Sequence, residues 1–210
     1  MKLLIRNLTV ADGDETLLDN ASYTFYQENV YCINAAKKYK NALFNSIAYL
    51  RRQEGGEIEL ICDGQNCILP AMVARFCEEP SFPEFLTVRE FVKYYIEINK
   101  KNITELKQID EYLEMVELSD IRGDRLVRDF TWDERVRLQF LCFLITKPPV
   151  LIIDGIKNIT NVEYLKKIKK YLDIIKQSGI VLLGCTDKSI AVFLGDEEIT
   201  VVDGKLQGGI

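Results

Sequence analysis

The stretch between residues 150 and 184 constrains the fold more than any other. VLIID (150–154) and IVLLG (180–184) are continuous apolar runs, and between them lies NVEYLKKIKKYLDIIK, whose apolar residues recur at helical spacing. A strand that shows no polar alternation is buried on both faces, and such strands belong to parallel sheets covered by helices. Two of them joined by an amphipathic helix form a βαβ unit. Beyond them a short helix and the strand EITVV follow, and Asp203-Gly204 marks a closing hairpin turn.

The N-terminal part follows a different rule. KLLIRNLTV and ETLLDNASYTFY alternate as half-buried strands on either side of Asp12-Gly13-Asp14, which reads as an antiparallel hairpin. VYCIN (30–34) is a short β-rich run, followed by a basic loop AAKKYK and a helix NALFNSIAYLRR that begins at Lys40-Asn41. Gly55-Gly56 ends that unit and EIELIC resumes strand character. CEEPSFPEF (77–85) reads as an irregular loop. Thr87 to Glu90 and Thr131 to Glu134 fit capping boxes, ahead of the helices FVKYYIEI and ERVRLQFLCFLI. Between them Leu106, Ile109, Leu113 and Val116 form one face of a further helix. The order is therefore a β-rich opening, a basic loop and helix, an all-helical insertion, and α/β to the end, with no internal repeat.

Composition removes several classes of function. The chain has 210 residues, enough for one domain, or one with a small lobe, and a sizeable core. Its net charge of −5 argues against a general nucleic-acid binder. It has no histidine, so catalysis by histidine and histidine metal sites are excluded. Of the six cysteines only Cys62 and Cys67 are close, at a spacing that makes no convincing zinc knuckle. Cys142 and Cys185 lie in apolar runs and read as small buried hydrophobes. No signal peptide is read at the N-terminus, and no apolar run approaches the roughly 20 residues that span a bilayer. The expectation is a reduced, cytoplasmic protein without direct membrane insertion, peripheral to the membrane if a membrane partner holds it.

A strand, a basic loop and a helix in the order of residues 30–52 is the layout of a P-loop without its glycines. The run VYCINAAKKYKNALFNSIAYLRRQEGGEIEL resembles the Walker A strand, loop and helix of ATP-binding cassette (ABC) nucleotide-binding domains. The family's Gly-x-x-Gly-x-Gly-Lys-Ser-Thr falls on Asn34 to Ala42, through Lys37, Lys38, Tyr39, Lys40 and Asn41, and only the lysine, Lys40, is kept. FCEEPSFPEFLTVREF is similar to the Q-loop and the start of the family's helical subdomain, with Glu78 at the glutamine position. DFTWDERVRLQFLCFLITKPPVLIID resembles the signature motif, its helix and Walker B. Phe130, Thr131, Trp132, Asp133 and Glu134 stand for Leu-Ser-Gly-Gly-Gln, and Asp154 is the Walker B aspartate. Gly155 occupies the catalytic glutamate position and Thr186 the switch histidine position. GIKNIT (155–160) holds no recognisable D-loop, and Asp12 aligns with the aromatic that stacks on adenine. The order and separation of these degraded motifs carry the resemblance.

The resemblance implies an α/β fold: a P-loop NTPase-like ABC cassette with an N-terminal antiparallel β-subdomain, a RecA-like parallel core and an inserted helical subdomain. Residues 1–77 and 148–210 would form the first two, and 86–147 the helical subdomain. It also implies pairing with a second nucleotide-binding domain, as a homo- or heterodimer, and docking on a transmembrane subunit. Phe76, Phe82, Phe85 and Leu86 form an apolar cluster suited to that docking. Catalysis is not expected. Side chains at Lys37 and Tyr39 fill a phosphate nest, Asn41 is a poorer magnesium ligand than Ser or Thr, and Gly155 cannot orient water. No cofactor is firmly implied; ATP with Mg2+ would at most be held weakly. Lys37, Lys38 and Lys40 could still gather an anion at a helix N-terminus, or form a solvated loop. Thr131 and Glu134 read as a helix cap, whereas Trp132 could anchor a partner. The expected function is a degenerate cassette subunit with a structural or regulatory role. The alternatives are a divergent active ATPase and a soluble interaction module.

Overall fold

The computed structural model describes residues 1–67, 69–121, 125–156 and 161–208. Strands β1 (Lys2–Asp12) and β2 (Glu15–Tyr26) pair antiparallel around the turn at Gly13, whose φ of 59° suits a residue without a Cβ. β1 buries Leu3 and Ile5, then Leu8 and Val10. The alternation changes parity between these pairs, and the reason is a bulge: the register shifts between Ile5 and Leu8, where Asn7 takes a φ of 50°. The irregularity constrains the next strand, β4 (Gly55–Cys62), which pairs antiparallel with the other edge of β1. A Cβ on Gly56 would lie 2.4 Å from the Asn7 carbonyl oxygen. The short β5 (Gln65–Cys67) completes a sheet of order β2-β1-β4-β5.

The second sheet has the order β10-β9-β3-β8-β7-β6, from β3 (Val30–Asn34), β6 (Val73–Phe76), β7 (Val150–Asp154), β8 (Ile180–Gly184), β9 (Glu197–Val202) and β10 (Lys205–Gly208). β9, β3, β8 and β7 run parallel, and β10 returns antiparallel on β9. The first four residues of β3, β7 and β8 are all buried, as their unbroken apolar runs require. Helix α1 (Lys37–Ile47) buries Ala42, Leu43, Phe44 and Ile47 in a core shared with both sheets. α5 (Val162–Ile175) buries Ile168, Tyr171, Leu172 and Ile175 at helical spacing, and the short α6 (Lys188–Leu194) follows β8. No described helix is long and apolar enough to cross a membrane.

The chain divides into two compact units, one of residues 1–75 with 148 onward, the other Phe76–Lys147. The second contains α2 (Val88–Asn99), α3 (Ile109–Met115) and α4 (Trp132–Thr146). Both sequence-predicted capping boxes form, at Thr87 with Glu90 and at Thr131 with Glu134. α4 is buried without interruption from Leu138 to Ile145 and stops at Lys147, whose φ of 44° takes the chain out of the helix before Pro148.

Two helices differ from their sequence reading. α1 begins at Lys37 rather than Lys40 and ends at Ile47 rather than running on to Arg52. Its end is a Schellman motif. Tyr49 adopts a φ of 56°, its amide donates to Ser46 O, and the Leu50 amide donates to Asn45 O. A tyrosine at a position that usually takes glycine gives no sequence signal. α3 spans only Ile109–Met115, so Leu106 lies outside it and is exposed.

Candidate functional site

In a parallel α/β sheet, ligand-binding groups gather at the carboxyl ends of the strands. Here those ends are Asn34, Asp154 and Gly184. Only Ala35 and Ala36 separate Asn34 from the first residue of α1. Ala36 is the N-cap, and its carbonyl accepts from the amides of both Tyr39 (3.0 Å) and Lys40 (3.1 Å). A phosphate-binding nest needs successive amides turned inward by alternating right- and left-handed backbone. No residue from 34 to 42 has positive φ. The expected basic loop is thus corrected to the first turn of a helix. With lysine and tyrosine at positions 37 and 39, right-handed backbone is preferred, and the helix grows back over the loop.

The lysines do not form a common anion site either. Lys40 Nζ lies 2.8 Å from Asp154 Oδ1, with the side chains 11% and 24% exposed. Lys38 pairs with Glu15 and lies 5.0 Å above the centre of the Tyr39 ring. Tyr39 is half-buried against the core and Lys37 is exposed. Asn34 donates from Nδ2 to Glu198 Oε1 at 2.7 Å, Asn41 is half-buried, and the Ala42 side chain is fully buried. Asp12, at the adenine position, pairs with Arg51 at 3.1 Å.

Gly184 makes the Lys40–Asp154 contact possible. A Cβ there would stand 2.7 Å from Asp154 Oδ1, 2.7 Å from Lys40 Cδ and 3.1 Å from Phe44 Cε2. Beside the pair is a cavity of about 150 Å3 lined by Lys40, Gly155, Cys185, Thr186, Ile190 and Leu194, among others. Small-molecule sites usually occupy about 300–1,000 Å3. Gly155 has a φ of 84°, a conformation that glutamate rarely adopts. The residues present therefore do not form a phosphate cradle for Mg-ATP: the loop is helical and the lysine is taken by the aspartate.

The surrounding architecture nevertheless has clear relatives. The chain is 24% identical to the Fe(3+) ions import ATP-binding protein FbpC of Photobacterium profundum, over 97% of this chain and 60% of that protein. It is 22% identical to the sulfate/thiosulfate import ATP-binding protein CysA of Synechocystis sp., over 99% of this chain and 60% of that protein. The chain thus spans about 60% of the length of these curated relatives. No protein-family model matches it. Its fold is similar to an ATP-binding subunit of an ABC transporter, with a TM-score of 0.75 at 14% identity over 100% of this chain and 90% of that one. It is also similar to a putative ABC transporter ATP-binding protein of Pyrococcus furiosus, with a TM-score of 0.71 at 21% identity over 90% and 92%. At these identities the solved structures speak for the fold; the curated relatives carry the likeness into the sequence.

The chain resembles ABC ATP-binding proteins in both sequence and fold. Its fold is that of an ABC cassette, with an antiparallel β-subdomain, a parallel core and an inserted helical segment.

Thr131 to Glu134, which the sequence resemblance places at the signature motif, begin a helix and are tied up by their own neighbours. Thr131 Oγ1 accepts from the Glu134 amide, and the Glu134 carboxylate accepts from the Thr131 amide at 2.7 Å. Arg125 binds the same carboxylate with both terminal nitrogens, at 2.6 and 2.7 Å, and its guanidinium lies over the buried Phe130 ring. Asp133 pairs with Arg137 at 2.8 Å. The half-buried Trp132 donates its indole N–H to the carbonyl of Glu78 at 3.0 Å, which joins the signature and Q-loop positions inside one unit. With its amide oriented to match its neighbours, Gln139 donates to Cys77 O at 3.0 Å and accepts from Cys77 N at 2.9 Å. This explains a buried glutamine in an otherwise apolar helix face. The D-loop positions 157–160 lie outside the described residues.

The residues that sequence reasoning did not single out are Glu15, Arg51, Arg125, Gln139 and Gly184. Gln139 and Gly184 carried a signal, one as a polar break in QFLCFLI and the other as a glycine closing an apolar strand. Glu15, Arg51 and Arg125 carried none, because their partners are set only by folding.

Burial alone would raise the Glu134 carboxyl pKa, but the Arg125 hydrogen bonds and the cap at Thr131 outweigh it and hold it below the ordinary range. A folded-state pKa below the unfolded one gives stability that is present above the unfolded value and lost as pH falls through the folded one. Glu134→Gln should therefore lower the thermal midpoint at neutral pH. The gap from the parent should close as acid titrates the carboxylate, and midpoints measured across an acid series check this.

Proposed function

We propose that this chain is a catalytically degenerate nucleotide-binding-domain subunit of an ABC transporter, with a structural or regulatory role. ATP would be bound and hydrolysed by a second, partner nucleotide-binding domain, and transport carried out by a transmembrane subunit on whose cytoplasmic face both would dock. The observation that carries the reading is the Lys40–Asp154 ion pair, formed under a helical turn where a phosphate cradle would lie. Phosphoryl transfer depends on positioned charges around phosphate and metal. Here the two charges kept from that machinery neutralise each other. The likeness to ABC ATP-binding proteins and the import role printed for FbpC and CysA support the transporter setting.

Turnover tests the reading. The purified chain should release no phosphate from Mg-ATP above background. Restoring a carboxylate by Gly155→Glu should not change this, because the left-handed backbone costs a side chain about 1–3 kcal/mol and cannot aim it. Phosphate release by the parent chain that Lys40→Ala abolishes would make the chain an ATPase and overturn the reading.

A further inference from the structure

Residues 77–86 form neither helix nor strand, and an irregular segment of this kind ordinarily opens more easily than the elements beside it. Here it is held along its course. Phe76, just before it, is buried with its ring 5.4 Å from that of Phe140 in α4. Gln139 binds both backbone groups of Cys77, donating to its carbonyl at 3.0 Å and accepting from its amide at 2.9 Å. The Trp132 indole N–H donates to the Glu78 carbonyl at 3.0 Å. Pro80 is buried, and Phe82 packs edge-on against Phe91 of α2, with ring centres 5.2 Å apart. Further on, the Arg128 amide donates to Glu84 O at 3.2 Å and the Val127 amide to Leu86 O at 2.9 Å, while Thr87 bridges Leu126. All these residues belong to the unit Phe76–Lys147.

The two ends of the segment are held by different means. Residues 84–87 are bound through backbone groups, whereas Cys77 and Glu78 are bound by two side chains of α4. Trp132 lies in the first turn of α4 and Gln139 about two turns on, so both side chains stand on one face of the helix. Gln139 is 8% exposed. Lifting Cys77 away from it would strip a buried amide of its partners, and an unpaired buried polar group is costly. We propose that Trp132 and Gln139 clamp residues 77–81 to α4, so that this irregular segment opens only when α4 itself unfolds. A surface held in this way is ordered before any partner arrives, and docking on it carries no cost of ordering the segment. The clamp is independent of the nucleotide question, since it involves neither Lys40 nor Asp154.

The test is native-state hydrogen exchange of the whole chain, followed amide by amide in increasing urea. In the parent the Cys77 amide should exchange in step with interior amides of α4 such as those of Leu141 and Phe143. Trp132→Phe removes the donor to Glu78 and leaves the bonds between Cys77 and Gln139 in place. Exchange at Cys77 should then outpace the interior of α4 by about two- to tenfold, the worth of one hydrogen bond. Gln139→Leu releases the segment from the other side, and the Trp132 indole N–H should in turn outpace the interior of α4. That signal is assigned without ambiguity, because the chain has one tryptophan. A Cys77 amide that outpaces α4 already in the parent would overturn the proposal. So would a Trp132→Phe variant in which Cys77 and the interior of α4 still exchange in step.

Discussion

Replacing Lys40 by alanine should destabilise this protein by about 2–3 kcal/mol, a loss out of proportion for a residue at a ligand site. Breaking a fully buried ion pair by removing one partner costs about 3–5 kcal/mol, because a charge is left behind without compensation. Asp154 keeps some contact with water, which places the effect toward or below the bottom of that range. Asp154→Ala should cost a similar amount, since it leaves the ammonium of a side chain only 11% exposed without its carboxylate. The double variant Lys40→Met/Asp154→Leu should recover most of the loss, as apolar replacements of a buried pair often do. Urea unfolding of the four proteins measures all three effects. If both single variants unfold at the parent's midpoint, the pair contributes nothing and the description of this site as a closed structural element is wrong.

The second large effect is expected at Gly184. A methyl group there would overlap the Asp154 carboxylate and the Lys40 stem, each 2.7 Å away, and crowd the Phe44 ring. Overpacking a dense interior costs about 1–3 kcal/mol. Lysine's far end can move, but Asp154 is anchored at the end of β7 and Phe44 in the core of α1. Gly184→Ala should therefore lower stability mainly by parting the ion pair. Combined with Lys40→Met it should cost less than the sum of the two single changes, because neighbours that share a contact are not additive. Strict additivity in a double-mutant cycle would show that Gly184 does not act through the pair.

The elements that could be read from the sequence are those fixed by local chemistry. The βαβ unit at residues 150–184 is written in unbroken apolar runs, and the capping boxes at Thr87 and Thr131 each need only four consecutive residues. The junction between β3 and α1 was legible as a position but not as a conformation. Once its glycines are absent, the backbone at 37–39 takes the default helical form, and alignment to a glycine-rich motif points to the wrong shape. The ion pairs were hidden for another reason. Lys38 with Glu15, Lys40 with Asp154 and Arg125 with Glu134 join residues whose separation no periodicity encodes. Trp132 shows the same limit: its indole N–H is bound to the Glu78 carbonyl of its own unit, a pairing that no spacing encodes.

The central claim is that the strand ends which hold nucleotide in an ABC cassette are closed in this chain by its own side chains. Calorimetric titration of the purified protein with Mg-ATP tests it most directly. Binding should be absent or weaker than a dissociation constant of roughly 100 µM, which corresponds to about 5.5 kcal/mol. Saturable binding tighter than that, abolished by Lys40→Ala in a variant that remains folded, would show that the site opens to admit nucleotide and would contradict the account.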